Sequence, residues 1–153
     1  MHNVLPHLRC NNMSGRTAKW ITQIIAGLDE HVDPKTRAAI LEQCGRQCQS
    51  QSLIKKAKTI YQKSRNTDDF LHKLAQAYKH LRIEGKNTYI IYPRCYCTQA
   101  NKIPKRQLSA TYCNCSRGWA KALFEGATGK PVDVIMEKSI INGDRQCRFK
   151  ITL

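Results

Sequence analysis

The chain has 153 residues, the size of one ordinary domain, and 41% of them are hydrophobic, enough to form a core without disulfides. Its 26 basic residues face 11 acidic ones, a formal net charge of +15. No apolar run approaches the ~20 residues that a membrane span needs, so the composition excludes a spanning helix and argues against disorder.

The positive excess is not a tail. Residues 1–85 carry 14 basic and 7 acidic groups, and residues 86–153 carry 12 and 4. Such a balance fits a solvated basic surface or an anionic partner. Residues 1–14 lack the apolar stretch of a secretory signal, so a cytoplasmic location is expected.

Residues 1–15 read as a flexible amino terminus, followed by a single α+β domain over 16–153. Within it, 16–85 forms a helical part. Trp20, Ile21, Ile24, Ile25 and Leu28 recur at helical spacing, and Trp20 and Trp119 are both assigned to the core. Asp33-Pro34 reads as an N-cap and first helical residue for a helix carrying Ile40, Leu41, Cys44 and Cys48. Ser52 is placed as the cap of a third helix, with Leu53, Ile54, Ala57, Ile60 and Tyr61 on its apolar side. Thr67 is placed as the cap of a fourth, whose stripe runs through Phe70, Leu71, Leu74, Tyr78 and Leu81 to a stop at Gly85. His72 and His80 fall eight apart on that helix, not at the spacing of a helical metal pair.

Over 86–153 the texture changes. Thr88 to Tyr92 reads as a strand stopped by Pro93. A polar loop, Thr98 to Gln107, and a short segment, Leu108 to Tyr112, lead to a helix capped by Ser116 and carrying Trp119, Ala120, Leu123 and Phe124. Val132, Val134 and Met136 alternate along a strand, Asn142-Gly143 is a hairpin signal, and Cys147, Phe149 and Ile151 share one face of the return strand. The expected fold class is α+β: a helical amino half, then a small antiparallel sheet with a helix packed on it.

Eight cysteines are many for an intracellular chain and favour metal or redox chemistry over a disulfide framework. Cys44 and Cys48 lie four apart on a helix, share a face, and continue the stripe of Leu41, so they are expected to point inward. Cys95-Tyr96-Cys97 and Cys113-Asn114-Cys115 are two C-x-C pairs, in which residues two apart can project to one side. Cys147 lies on the last strand, and Cys10 is set aside. Zn2+ takes about four thiolates at about 2.3 Å, and iron–sulfur clusters also take cysteines, so the metal-ligand candidates are Cys44, Cys48, Cys95, Cys97, Cys113, Cys115 and Cys147. Zinc is the first expectation and an iron–sulfur cluster the alternative. Arg46, Arg94 and Arg117 are the basic neighbours expected to favour thiolates. Two plainer accounts stand beside this one: cysteines buried as small hydrophobes, and a disulfide or redox relay. No phosphate-binding loop and no Ser/His/Asp arrangement can be read from the spacing.

Cys115-Ser116-Arg117-Gly118-Trp119, Gly129 to Val134, Ser139, Gly143-Asp144 and Cys147-Arg148-Phe149 resemble the closing half of 4-vinyl reductase domains. The resemblance covers residues 115–151 and implies an α/β small-molecule-binding module with Cys115 and Cys147 as metal ligands. Ser139 stands where many members have a further cysteine. As a whole the chain, with C-G-x-x-C, C-Y-C and C-x-C-S-x-G-W, resembles an uncharacterised bacterial cysteine-rich family that is similar to the 2-amino-thiazoline-4-carboxylate hydrolase family.

Three readings of function follow. The first is a cysteine-bound metal beside a pocket for a small anionic or aromatic ligand, in a sensory or binding module. The second is a hydrolase or lyase acting on a small sulfur- or nitrogen-containing substrate through an open metal position or a thiolate. The third is a basic regulator whose nucleic-acid binding would be non-specific.

Overall fold

The computed structural model describes residues 13–104 and 107–153, and the side chains from Gly15 onward within the first helix. Four helices come first: α1 Met13–His31, α2 Pro34–Cys48, α3 Gln51–Gln62 and α4 Thr67–Ala77. The hairpin strands β1 Leu81–Glu84 and β2 Asn87–Tyr92 follow. After an irregular segment come α5 Asn114–Thr128, β3 Asp133–Lys138 and β4 Cys147–Thr152. The fold is α+β, with helices in the amino half and a four-stranded antiparallel sheet after them.

The caps show why the helices start where they do. Asp33 accepts hydrogen bonds from the Lys35 and Thr36 N–H groups, both at 3.0 Å, with Pro34 at the first helical position. The other expected caps move by one to three residues. Ser50, not Ser52, caps α3, accepting from the Leu53 N–H, and Asn66, not Thr67, caps α4, accepting from the Asp69 N–H at 2.9 Å. Ser116 lies inside α5, whose first residue is Asn114.

The larger correction concerns residues 78–85. The fourth helix was expected to continue through Leu81 to Gly85, but it ends at Ala77. Leu81 pairs with Ile90 instead, in a hairpin whose turn takes the positive φ of Gly85. His72 and His80 therefore do not share a helix, and the first strand lies within what the sequence assigned to the helical part.

The strand order is β1-β2-β4-β3. Cys147, Phe149 and Ile151 alternate inward along β4, as expected, and meet Ile90, Val134 and the α5 residues Ala120, Leu123, Phe124 and Ala127. α3 and α4 close this main core with Ala57, Phe70 and Leu74. On the outer face, Arg148 lies 3.6 Å over the Tyr89 ring and binds Glu84 and Glu137.

A second, smaller cluster joins Ile25, Leu41, Ala100, Ile103 and Leu108. It packs α1 and α2 over the irregular segment between β2 and α5. The α1 stripe that faces it is Ala18, Ile21, Ile25 and Leu28, which leaves Trp20 on the other side, 66% exposed. Trp20 is therefore not a core residue, whereas Trp119 packs against the main core. Asp29 ties α1 to this region by accepting from the Ser109 and Thr111 hydroxyls at 2.5 and 2.6 Å. No helix among the described residues is long and apolar enough to cross a membrane.

Candidate thiol site

The site begins with two glycines. A Cβ on Gly45 of α2 would sit 1.7 Å from the Cys115 carbonyl oxygen, and one on Gly118 of α5 would sit 1.8 Å from the Glu42 carbonyl oxygen. The two helices therefore cross backbone against backbone, which no larger residue allows. Ion pairs clamp the crossing on either side. Arg46 binds Glu125 with both guanidinium nitrogens at 2.5 and 3.2 Å, and Glu42 accepts from Lys121 at 2.6 Å and pairs with Arg117 at 3.2 Å.

That crossing decides where the C-G-x-x-C thiols go. The buried line of α2 runs through Leu41 and Gly45 to the capping residue Gln49, so Cys44 and Cys48 flank it and are exposed, contrary to the inward orientation expected for them. They nonetheless lie beside Cys115, in the first turn of α5. Burial pushes the Cys115 thiol up to about 12, and Cys48, Cys97 and Cys44 raise it further as neighbours.

The C-Y-C loop leaves β2 next to Cys147, because Tyr92 pairs with Cys147 in the sheet register. Tyr96 turns outward into an aromatic group with His80 and Tyr92, at ring distances of 4.8 and 5.7 Å. Cys95 and Cys97 are half-buried against the second cluster. Asn101 fastens the loop, donating its side-chain amide to the Cys95 carbonyl and its backbone N–H to the Cys97 carbonyl, both at 3.0 Å. The Cys97 sulfur lies 3.4 Å from the Tyr112 hydroxyl.

Cys113, immediately before α5, is buried with its sulfur 3.1 Å from the Ser139 hydroxyl. Burial pushes its thiol up to about 12, and Cys147, Cys95 and Cys97 add to the rise against the lowering by Ser139. Cys147 accepts from the Ile140 N–H at 3.4 Å, and burial raises its thiol too, with Cys95 as a neighbour. The position of Cys113 and Cys115 at the positive end of α5 works in the opposite sense, toward thiolate.

All seven candidate cysteines are thus free thiols: Cys147 belongs to the main cluster and Cys95 and Cys97 pack on the second, across the seam between them, Cys113 and Cys115 neighbour these, and the exposed Cys44 and Cys48 lie beside Cys115. They form two overlapping sets, Cys44, Cys48 and Cys115 on the helix side and Cys95, Cys113 and Cys147 on the sheet side, with Cys97 a neighbour of both. They do not close on one point: among the described residues, no three His, Cys, Asp or Glu side chains group closely enough to hold a metal ion. Cys10 lies outside the described residues.

The arginines do not serve the thiols as expected. Arg46 is held by Glu125, and Arg117 by Glu42, Asn114 and the Val134 carbonyl. Arg94 lies over Tyr96 on the rim of a cleft of about 690 Å³, which it lines with Cys95, Asn101, Ile140, Asp144 and Arg145. Sequence reasoning missed Tyr112, Asn101 and Arg145. It also missed the packing role of Gly45 and Gly118, although a glycine within a helical pattern was the available signal.

The chain belongs to the family described as a family of unknown function (DUF6144), which it matches over residues 4–153. No curated protein matches it.

Proposed function

We propose that the chain is a thiol-based metal-binding module, with zinc as the first expected ion and an iron–sulfur cluster as the alternative. One observation carries this reading. α2, the C-Y-C loop, the start of α5 and β4 are distant in sequence, yet they bring seven free cysteines into one region. Packing alone does not call for thiols there, since two of the seven are exposed. A soft cation would draw about four of them together and take their thiolates. A sensing or binding role goes with this reading, since a metal held by four cysteines leaves no position open for catalysis. A hydrolase or lyase is the second reading, favoured by one feature: Cys95 opens on a cleft large enough for a small substrate.

The test is elemental analysis and an optical spectrum of protein purified without oxygen. Roughly stoichiometric zinc, or iron with visible absorption, is the expected result. Cys113→Ser should lower both metal content and thermal stability, because metal binding free energy is partly folding free energy. Cys147→Ser separates a ligand from a packing residue: lost stability with retained metal assigns it to packing. Folded, metal-free protein with all thiols reduced would sink the metal reading.

A further inference from the structure

We propose that the cleft beside Cys95 binds a short aliphatic carboxylate, its head between Arg94 and Arg145 and its tail in the apolar pocket beneath. The inference stands on this cleft alone and needs no metal.

The head site follows from which arginines are committed. Arg37, Arg46, Arg65, Arg117 and Arg148 each pair with a carboxylate. Among the described residues Arg16, Arg82, Arg94 and Arg145 pair with none, and of these Arg94 and Arg145 line the cleft. Arg94 rests one face on the Tyr96 ring, 5.0 Å away, which leaves its N–H edge available. Asp144 also lines the cleft, but its carboxylate accepts the Ser139 N–H at 2.8 Å. Two arginines against one aspartate leave the cleft with a single net positive charge, suited to a monoanion. A guanidinium meets a carboxylate through two parallel hydrogen bonds, the strongest form of this contact.

The tail site lies under the cleft. A pocket of about 60 Å³ shares Cys95, Asn101 and Ile140 with it and is completed by apolar groups, among them Ile103, Leu108 and Ile141. Its volume is that of about two waters at ~30 Å³ each, so it admits a tail of about two or three carbons. Cys95 lines both spaces, so the passage between them runs beside that residue. A polyphosphate or a sugar would find too little charge above and, below, only Cys95 and Asn101, whose amide already donates to the Cys95 carbonyl.

The experiment is an NMR titration of the full chain as purified, following the arginine Nε–H and asparagine amide signals. The probes are acetate, propionate, butyrate, hexanoate and the neutral propionamide. Saturable shifts at Arg94, Arg145 and Asn101 are expected, with affinity rising about fourfold per added CH2 as far as butyrate and falling at hexanoate. Propionamide should not saturate. Arg145→Gln, an exposed and foldable change, should weaken butyrate binding about tenfold. Unsaturable shifts spread over all basic residues, or equal binding of acetate and butyrate, would overturn the proposal. Metal content of the same samples reads the other proposal separately: butyrate binding without metal sinks the metal reading alone, and metal without butyrate binding sinks this one alone.

Discussion

The two apolar clusters are unequal in a way that bears on the thiols. In the main core Phe70, Leu74, Ile90, Leu123, Phe124 and Val134 are excluded from solvent, and they come from regular helices and strands. In the second, none of the five buried residues is fully excluded, and three of them belong to the irregular segment between β2 and α5. Irregular backbone has no ladder of its own, so this segment relies on single bonds such as those of Asn101 and Asp29. Cys95 and Cys97 pack on the weaker cluster, whereas Cys147 belongs to the stronger one. A metal ion held across the seam would therefore fasten the region that packing holds least.

Mutations should expose the inequality. Phe124→Ala in the main core is expected to lower stability by about 3–5 kcal/mol, and Ile103→Ala in the second by only about 2 kcal/mol, because its surroundings can collapse. Urea denaturation of both variants measures the difference, and equal losses would erase the distinction. Gly45→Ala comes next, at about 3 kcal/mol or more, since the new methyl meets backbone rather than a mobile side chain. Gly27→Ala is its control. That helical glycine has nothing within 4 Å of the added atom, so helix propensity should make the change neutral or stabilising by up to about 1 kcal/mol.

The same contrast explains what the sequence made legible. The main core was readable because its signals are local: alternation along β4 and the Leu123-Phe124 stripe of α5. β1 was not, because Leu81 continues the helical spacing of Leu74 and Tyr78, and only its distant partner Ile90 makes it a strand. The seven cysteines were recognised and do share a region, but the orientation of Cys44 and Cys48 was misread. The face of α2 that is buried is centred on Gly45, which offers no apolar side chain to mark it. The cleft arginines could not be told from the paired ones, since pairing depends on carboxylates far away in sequence.

Acid provides a further way to compare the regions. Burial would raise the Glu125 carboxyl, but Arg46, the Val132 N–H and Lys121 outweigh it and hold the group below its ordinary range. Asp29 behaves alike in the second region, where Ser109, Thr111 and Arg37 overcome the effect of burial. Both are depressed in the folded state, so their stabilisation is complete above the unfolded carboxyl values of about 4 and is lost as pH falls through the folded ones. Glu125→Gln and Asp29→Asn should each flatten the acid limb of the stability profile. Hydrogen exchange below about pH 4 should open α1 and the irregular segment before α5. Simultaneous opening of both would mean that the second cluster is no weaker than the first.

The smallest effect is expected at Trp20, and it tests where the second cluster ends. A tryptophan in a helical stripe invites assignment to the core, yet the stripe that faces the cluster runs through Ala18, Ile21, Ile25 and Leu28. Trp20 and Ile24 lie on the opposite side, 66% and 40% exposed. Truncating a side chain that leaves no cavity and unpairs no polar group should change stability by less than about 0.5 kcal/mol. Trp20→Ser is therefore expected to leave the urea midpoint in place. It should also remove the solvent-exposed part of the tryptophan emission and leave that of Trp119, which is packed 6.0 Å from the Tyr78 ring. A loss above about 2 kcal/mol would instead be the signature of a buried aromatic. It would show that the Trp20 face is covered in solution, and that the weaker cluster extends across α1 to whatever covers it.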